Sequence, residues 1–323
     1  MDLQEFTGQL NNFAAAGIPF FFIADFELRK PFVCRLEQAA DNGIFYDIQG
    51  ESNRKEKNKP AELKVFRKFP IDKAKYYPAF EKIKFHLDRG DTYLLNLTFP
   101  TRIETNLSLT ELYDISPAPY KLLYKNEFLS FSPECFIKII NDRIFSYPMK
   151  GTIDASISGA EEKILGSKKE IFEHNTIVDL IRNDLSIAAE NVKVTKFRYI
   201  DKIHTNQKDL LQVSSEITGR LKKNWRSDLA GLLLKMLPAG SVSGAPKQKT
   251  IEIIRNAEQQ ERGYYTGVYG IFDGSDLDSA VNIRYIEKTA DCLQFRSGGG
   301  ITALSDPENE YIEMINKVYV PAG

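Results

Sequence analysis

Cysteine is scarce. Cys34, Cys135 and Cys292 are the three in 323 residues, far apart and without a CxxC spacing. They provide neither a zinc-ligand set nor a disulfide framework, so buried free thiols are the expectation. The three histidines, His86, His174 and His204, form no ligand pattern either. An excess of positive charge is also missing: 43 Lys plus Arg stand against 44 Asp plus Glu, and nothing in the bulk charge would hold a nucleic-acid backbone. One short basic run, residues 54–59, precedes Pro60, has no aromatic interleaving and reads as a solvated loop. Long apolar runs are absent. Ile18–Ala24 and Leu229–Leu234 fall well short of the ~20 residues a membrane span needs. MDLQEFTGQL lacks the charged-then-apolar plan of a signal peptide. A cytoplasmic protein with no membrane and no nucleic-acid partner is therefore expected.

What is present reads as ordinary globular sequence, 42% hydrophobic and 27% charged, long enough for one large domain or two interlocked ones. Residues 1–75 form a mixed opening segment with buried-strand candidates at Ile18–Phe26 and Gly43–Ile48. Helical periodicity over Ala79–Leu87 stops at Arg89-Gly90-Asp91, and Thr92–Pro100 reads as a strand. Two hairpins follow, Lys121–Tyr124 with Glu127–Phe131 and Cys135–Ile140 with Arg143–Tyr147, turned at Lys125-Asn126 and Asn141-Asp142. A long helix is predicted over Glu161–Ala189, with Ile177, Leu180, Ile181, Asp184 and Leu185 at helical spacing. Strands resume at Val192–Ile203 and Leu210–Thr218, helices at Ser227–Met236 and Pro246–Glu261. The pair Gly263–Phe272 and Ser279–Glu287 then brackets a turn, Leu293–Ser297 is a strand ending at three glycines, and Pro307–Val318 is a closing helix. Antiparallel hairpins separated by helices, without a β-α-β rhythm, give an α+β layered fold. The triple glycine opens no helix, so it is no dinucleotide fingerprint. The Gly/Ser-rich loop 240–247 opens a helix but lacks GxxxxGK[ST], which excludes a nucleotide cradle of that kind.

Chemistry concentrates in a few places. Lys150, in SYPMKGT, ends a strand between Pro148 and Gly151. Such a lysine is a solvated surface group, or, if burial lowers its pKa, a nucleophile. Glu134, in FSPECFI, begins the strand that hairpins with the one leading to Lys150, so the two side chains come together. That pairing is charge balance or a proton shuttle for a departing hydroxyl. Glu173 lies on the long helix; Glu310 and Glu313 share a face of the last one. Each alone reads as helix surface. Together, carboxylates without histidine or cysteine suit a hard ion such as Mg2+. Gly298-Gly299-Gly300 offers unobstructed amides, and Arg284, Lys247 and Lys317 supply positive charge for an anion.

The ordered series SPE, PMKGT, EHNTIVDLIRNDL, GSVSGAPK, YTGVYG, IRY, SGGGI and EYIEMINK resembles the chorismate-utilising enzymes, from about Gly90 to Val320. Residues 1–75 look like the abbreviated N-terminal part of the short members, packed on a catalytic domain of residues 76–323. The resemblance implies two mostly antiparallel β-sheets packed as a sandwich flanked by helices, with the site between them. It implies Glu173 and Glu313 as Mg2+ ligands with Glu310 beside them, and Glu134 as the general acid. Tyr265, Arg284, Gly299, Gly300, Lys317, Thr152, Ser243 and Gly244 would hold chorismate.

The branch within the family is set by Lys150. Members resembling anthranilate synthase component I read PIAGT here; aminodeoxychorismate synthases read PIKGT, with a lysine that forms a covalent adduct, and this chain reads PMKGT. The water-activating lysine of the isochorismate and salicylate branches falls on Leu94, which cannot activate water. Gln212, in LLQVSSEITG, takes the place of a histidine tied to later pyruvate elimination. The resemblance therefore implies Mg2+-dependent amination of chorismate at C4, in the p-aminobenzoate and folate pathway. The ammonia would come from a partner glutamine amidotransferase subunit (component II), since no cysteine here sits in a nucleophile elbow.

Overall fold

In the computed structural model, residues 1–54, 61–204 and 209–321 are described. Most of the predicted basic loop lies outside them; Arg54, inside, is not solvated but ion-paired to Asp114 at 2.8 Å.

Two antiparallel sheets carry the fold. Neighbour by neighbour, the first runs Met149–Asp154, Asp209–Arg220, Arg143–Ser146, Cys135–Ile140, Leu277–Val281, Val268–Phe272, Phe20–Ala24 and Phe32–Arg35. Glu190–His204 also pairs with Asp209–Arg220. The second runs Gly244–Ala245, Leu94–Thr105, Leu293–Ile301, Tyr285–Lys288, Phe128–Ser132, Tyr120–Tyr124, Ile44–Ile48 and Glu51–Ser52, with Phe66–Phe69 beside Leu94–Thr105. Strands from residues 1–75 thus enter both sheets.

Between the sheets, alternate residues interdigitate: Phe21, Ile23, Tyr269 and Ile271 from one meet Tyr46, Leu122, Tyr124 and Phe128 from the other, all buried. Burying each such side chain contributes roughly 1.5–3 kcal/mol. On the outer face of the first sheet pack the helices Leu3–Ala15, Lys168–Ala188 and Leu229–Met236. The second sheet is covered by Lys73–Asp88, Lys247–Glu258 and Pro307–Asn316 at one end and Leu109–Ile115 at the other.

Both predicted hairpins form, and their turn residues have the positive φ that two-residue turns demand: Lys125 48°, Asn126 54°, Asn141 50°, Asp142 59°. Three expectations need correction. The long helix is two, Ala160–Gly166 and Lys168–Ala188, because Ser167 takes an extended backbone and caps the second, accepting from the Glu170 N–H. The strand predicted over Ser279–Glu287 breaks at residues 282–284, where Arg284 has φ 52°. Leu277–Val281 lies in the first sheet and Tyr285–Lys288 in the second, so the chain crosses between them there. The triple glycine does not follow a strand but lies within one: Gly298, Gly299 and Gly300 pair with Thr98, Leu97 and Asn96.

A second crossing takes the chain from Phe128–Ser132 in the second sheet to Cys135–Ile140 in the first, through Pro133 and Glu134. The crossings are neighbours: the Val281 N–H donates to the Glu134 carbonyl at 3.1 Å, and the Phe131 N–H to the Arg284 carbonyl at 3.2 Å. Where both chains leave one sheet for the other the sandwich opens, and Glu134 and Arg284 stand at the opening.

Candidate active site

That opening is a cavity of about 520 Å³. Lys150, Glu134, Glu173, Glu310, Glu313, Tyr265, Arg284, Gly300, Lys317, Thr152, Ser243 and Gly244 all line it, as do Leu94 and Gln212. Residues separated by up to 223 positions in sequence, Leu94 and Lys317, therefore share one wall-to-wall site. Lys247 apart, Gly299 alone of the predicted set is not on the lining. It lies behind it, and a Cβ there would come within 3.1 Å of Glu310 Oε2 and 3.5 Å of Glu313 Oε1. Its bare backbone makes room for the two acids. Lys247 is also reassigned. Its Nζ is held 3.1 Å from Asp184 Oδ1 and donates to the Met236 carbonyl at 2.8 Å, a clamp behind the site and not part of the lining.

Lys150 reaches the cavity from Met149–Asp154, its Nζ 3.0 Å from Glu173 Oε2. Opposite, Lys317 caps the helix Pro307–Asn316 and turns its Nζ back to Glu313 Oε1 at 2.7 Å and the Gly298 carbonyl at 2.9 Å. Each lysine is thus paired with one of the predicted metal-binding acids. Their proton affinities diverge. Burial disfavours both ammonium ions, but at Lys150 the Glu173 carboxylate, with Glu313 and Glu170 beyond it, outweighs burial and the pKa is raised. At Lys317 burial prevails over Glu313, aided by the positive charges of Lys150 and Arg284, and the pKa falls. The depressed amine anticipated at Lys150 is therefore absent while Glu173 carries its charge beside it.

Glu134 is pushed up by burial, against the opposing pull of Ser241, Arg284, Lys150 and Lys317. The Ser241 hydroxyl donates to its Oε1 in a short hydrogen bond. Burial raises the Tyr265 phenol to about 12, so it keeps its proton and can donate. Arg284 stacks over Tyr319, 5.3 Å from the ring centroid, and its buried Nε has no hydrogen-bond partner. An unpaired buried guanidinium nitrogen is costly, and an incoming carboxylate would satisfy it.

One acid was missed. Glu170 lines the cavity, and its Oε2 is buried without a hydrogen-bond partner. The signal was present: Glu170 and Glu173 are spaced i, i+3 on one helix, as Glu310 and Glu313 are on another. These four acids bear on a divalent ion. Among the described residues no three metal-binding side chains form a closed cage. Instead two acid pairs from two helices line one cavity, and one of the four, Glu170, keeps a buried carboxylate oxygen without a hydrogen-bond partner. All-oxygen donors that leave room for water and substrate fit Mg2+ and do not fit a closed zinc site.

Comparison with known proteins gives the family. The family model described as chorismate binding enzyme matches residues 21–323, so the likeness begins well before Gly90. A Pasteurella multocida (strain Pm70) protein named "Uncharacterized PabA-like protein" is 52% identical over 327 residues, covering 100% of each chain. Anthranilate synthase component 1 1 of Haloarcula marismortui is 32% identical over 254 residues, 73% of this chain and 50% of that protein. In fold, the chain is similar to MenF, the menaquinone-specific isochorismate synthase of Escherichia coli, with TM-score 0.72 and 16% identity over 97% of this chain and 80% of that one. No helix among the described residues is long and apolar enough to cross a membrane. A match over nearly the whole length, on the sandwich and cavity described above, places the chain among the chorismate binding enzymes.

Proposed function

We propose that the chain aminates chorismate at C4, giving 4-amino-4-deoxychorismate through a covalent Lys150 adduct, with Mg2+ as cofactor and ammonia from a separate glutamine amidotransferase subunit. The observation that carries this reading is the Lys150 amine inside the cavity, 3.0 Å from Glu173 and on the same lining as Glu134. Leu94 in the cavity wall also speaks against water activation from that side.

The substrate is a dianion, and the cavity meets it with Arg284, Lys317 and the Tyr265 hydroxyl. Glu173 and Glu313, backed by Glu170 and Glu310, would hold Mg2+, which supplies positive charge to these carboxylates and to the ring carboxylate. With Glu173 and Glu313 so engaged, burial, which favours the neutral amine, would be opposed by Glu170 and no longer by the carboxylate in contact with Lys150. That amine forms a bond to C2, the double bonds shift, and the C4–O bond breaks. Glu134 gives its proton to the departing hydroxyl, which leaves as water. Ammonia then forms the C4–N bond, the double bonds shift back, and the C2–N bond breaks with its electron pair returning to Lys150. The proton released by the new C4 amine returns to Glu134. The balance is chorismate plus ammonia to 4-amino-4-deoxychorismate plus water.

The test is turnover of chorismate with an ammonium salt, with and without Mg2+, reading the position of the amine in the product. Chelation should stop the reaction and added Mg2+ restore it; a product aminated at C2 would replace this reading with that of anthranilate synthase component I. The 32% identical Haloarcula protein makes that the competing assignment.

Glu134 sets a pH limb. A general acid works protonated, and burial raises its pKa, so the protonated form persists to higher pH than for an exposed glutamate. Turnover should fall as pH rises through the Glu134 pKa. Glu134→Gln should lower kcat by about 100- to 10,000-fold and erase that limb. A variant that keeps both the rate and the limb would remove Glu134 from the mechanism.

A further inference from the structure

Two arginines line the cavity, Arg284 and Arg296. Arg296 is engaged by the protein itself: its Nε donates to Glu287 Oε1 and its Nη1 to the Glu261 carbonyl. Arg284 is not. Among the described residues it makes no ion pair, and its buried Nε has no hydrogen-bond partner. What its guanidinium meets is a ring: Cζ lies over Tyr319, 5.3 Å from the centroid. Tyr319 is not on the cavity lining.

The kind of partner has a chemical consequence. The N–H donors of a guanidinium all lie in its plane. A carboxylate takes that edge, which is the part a second carboxylate would need. An aromatic ring attracts the cation through its face and leaves the in-plane donors available. Arg284 is thereby held in the wall without a protein anion that a substrate must displace.

The segment that supplies the ring is anchored on both sides of it. Lys317 ends the helix Pro307–Asn316. After it, Val318 is fully buried, and Val320 packs against the same apolar cluster, which contains Phe131 and Phe295. Tyr319, between these anchors, stays out of the cluster and is 45% exposed. The backbone of Arg284 is tied to the same support, because the Phe131 N–H donates to the Arg284 carbonyl at 3.2 Å. Ring and guanidinium are therefore placed by one packed core. The Tyr319 hydroxyl has no hydrogen bond among the described residues, so the ring and not its polar tip makes the contact.

We propose that Tyr319 is a positioning residue: its ring holds the face of the Arg284 guanidinium so that the N–H edge stays free for a carboxylate of the substrate. The inference rests on the reading that chorismate occupies the cavity, and extends it to a residue outside the lining.

The test measures chorismate Kd by calorimetry with Mg2+ present. The proteins are the parent, Tyr319→Phe and Tyr319→Leu, each with and without Arg284→Gln. Phenylalanine keeps the ring, so its Kd should stay within about twofold of the parent. Leucine fills much of the volume without the π face, and Kd should rise about 3- to 30-fold, the range of a cation–ring contact. In the Arg284→Gln background the same leucine should change Kd by less than about twofold, because no cation is left to hold. Parent-like binding by Tyr319→Leu overturns the proposal, as does an equal loss in both backgrounds or a phenylalanine variant as weak as leucine. If Tyr319→Leu does not fold, Tyr319→Gln takes its place with the same expectations.

A second measurement needs no substrate. In protein labelled with 15N-arginine, the Arg284 Nε–H signal is identified by its loss in Arg284→Gln. It should move downfield in Tyr319→Leu, where no ring shields it, and keep its place in Tyr319→Phe. An unmoved signal in Tyr319→Leu overturns the proposal. A parent protein that does not bind chorismate would sink the substrate reading instead, and the spectrum would still judge the contact between ring and guanidinium.

Discussion

Replacing Lys150 with alanine should lower formation of 4-amino-4-deoxychorismate by about 1,000-fold or more, as removal of a covalent nucleophile does. Chorismate KM should change little, because Arg284, Lys317 and Tyr265 remain in the cavity. Any residual product should carry its amine at C2, where ammonia would attack directly once no lysine occupies that position. Alanine also removes the positive charge beside Glu173, 3.0 Å away, so the substitution alone mixes two effects. Lys150→Arg separates them. A guanidinium keeps the charge next to Glu173 but does not shed its proton, so it cannot add to C2. If Lys150 acts by charge alone, the arginine variant keeps much of the activity; if it acts as a nucleophile, arginine is as inactive as alanine. Chromatography of the products against 2- and 4-amino standards reads both outcomes. An alanine variant forming the 4-amino product at the parent rate would end the covalent mechanism.

The cavity residues were legible because each sits in a short run whose types and order are unusual. What joins them was not. Glu134 and Arg284 share a site because the chain passes from one sheet to the other at both, and an apolar alternation reads the same whether a strand continues or changes sheets. In sequence, Ser279–Glu287 therefore looks like one strand. The split at Ser167 was hidden likewise, since periodicity continues across it and the signal is a single capping hydroxyl. The reach of Lys247 depends on Asp184, which only the packing of two helices brings near. The protonation of Lys150 depends on the balance between burial and Glu173, which no spacing reveals. Glu170 could have been found from its spacing to Glu173. The buried ion pair behind the site could not, because a fully enclosed arginine leaves no pattern of its own.

That pair carries the second large effect. Arg262 is 1% exposed, and its guanidinium donates to Glu258 Oε2 at 3.0 Å and Oε1 at 2.6 Å, to the Val242 carbonyl at 2.8 Å and to the Asn96 carbonyl at 2.6 Å. Glu258 Oε1 also accepts the Thr98 N–H at 2.9 Å and the Thr98 hydroxyl at 3.0 Å. One charged cluster thereby ties Leu94–Thr105, Lys247–Glu258 and the loop at Val242 together, and Asn96 and Val242 line the cavity. Arg262→Ala leaves the Glu258 carboxylate buried without its counter-charge and two carbonyls without donors. Breaking such a pair from one side costs about 3–5 kcal/mol. Replacing both ends with apolar residues removes the stranded charge, so Arg262→Met with Glu258→Leu should recover part of the loss. Urea titration should show this order of stability: parent, double variant, Arg262→Ala. The single variant should also bind chorismate more weakly at temperatures where it remains folded, because the carbonyls that shape the wall are no longer held. Stability of Arg262→Ala within about 1 kcal/mol of the parent would mean that water replaces the guanidinium without cost, and that the cavity wall does not depend on it.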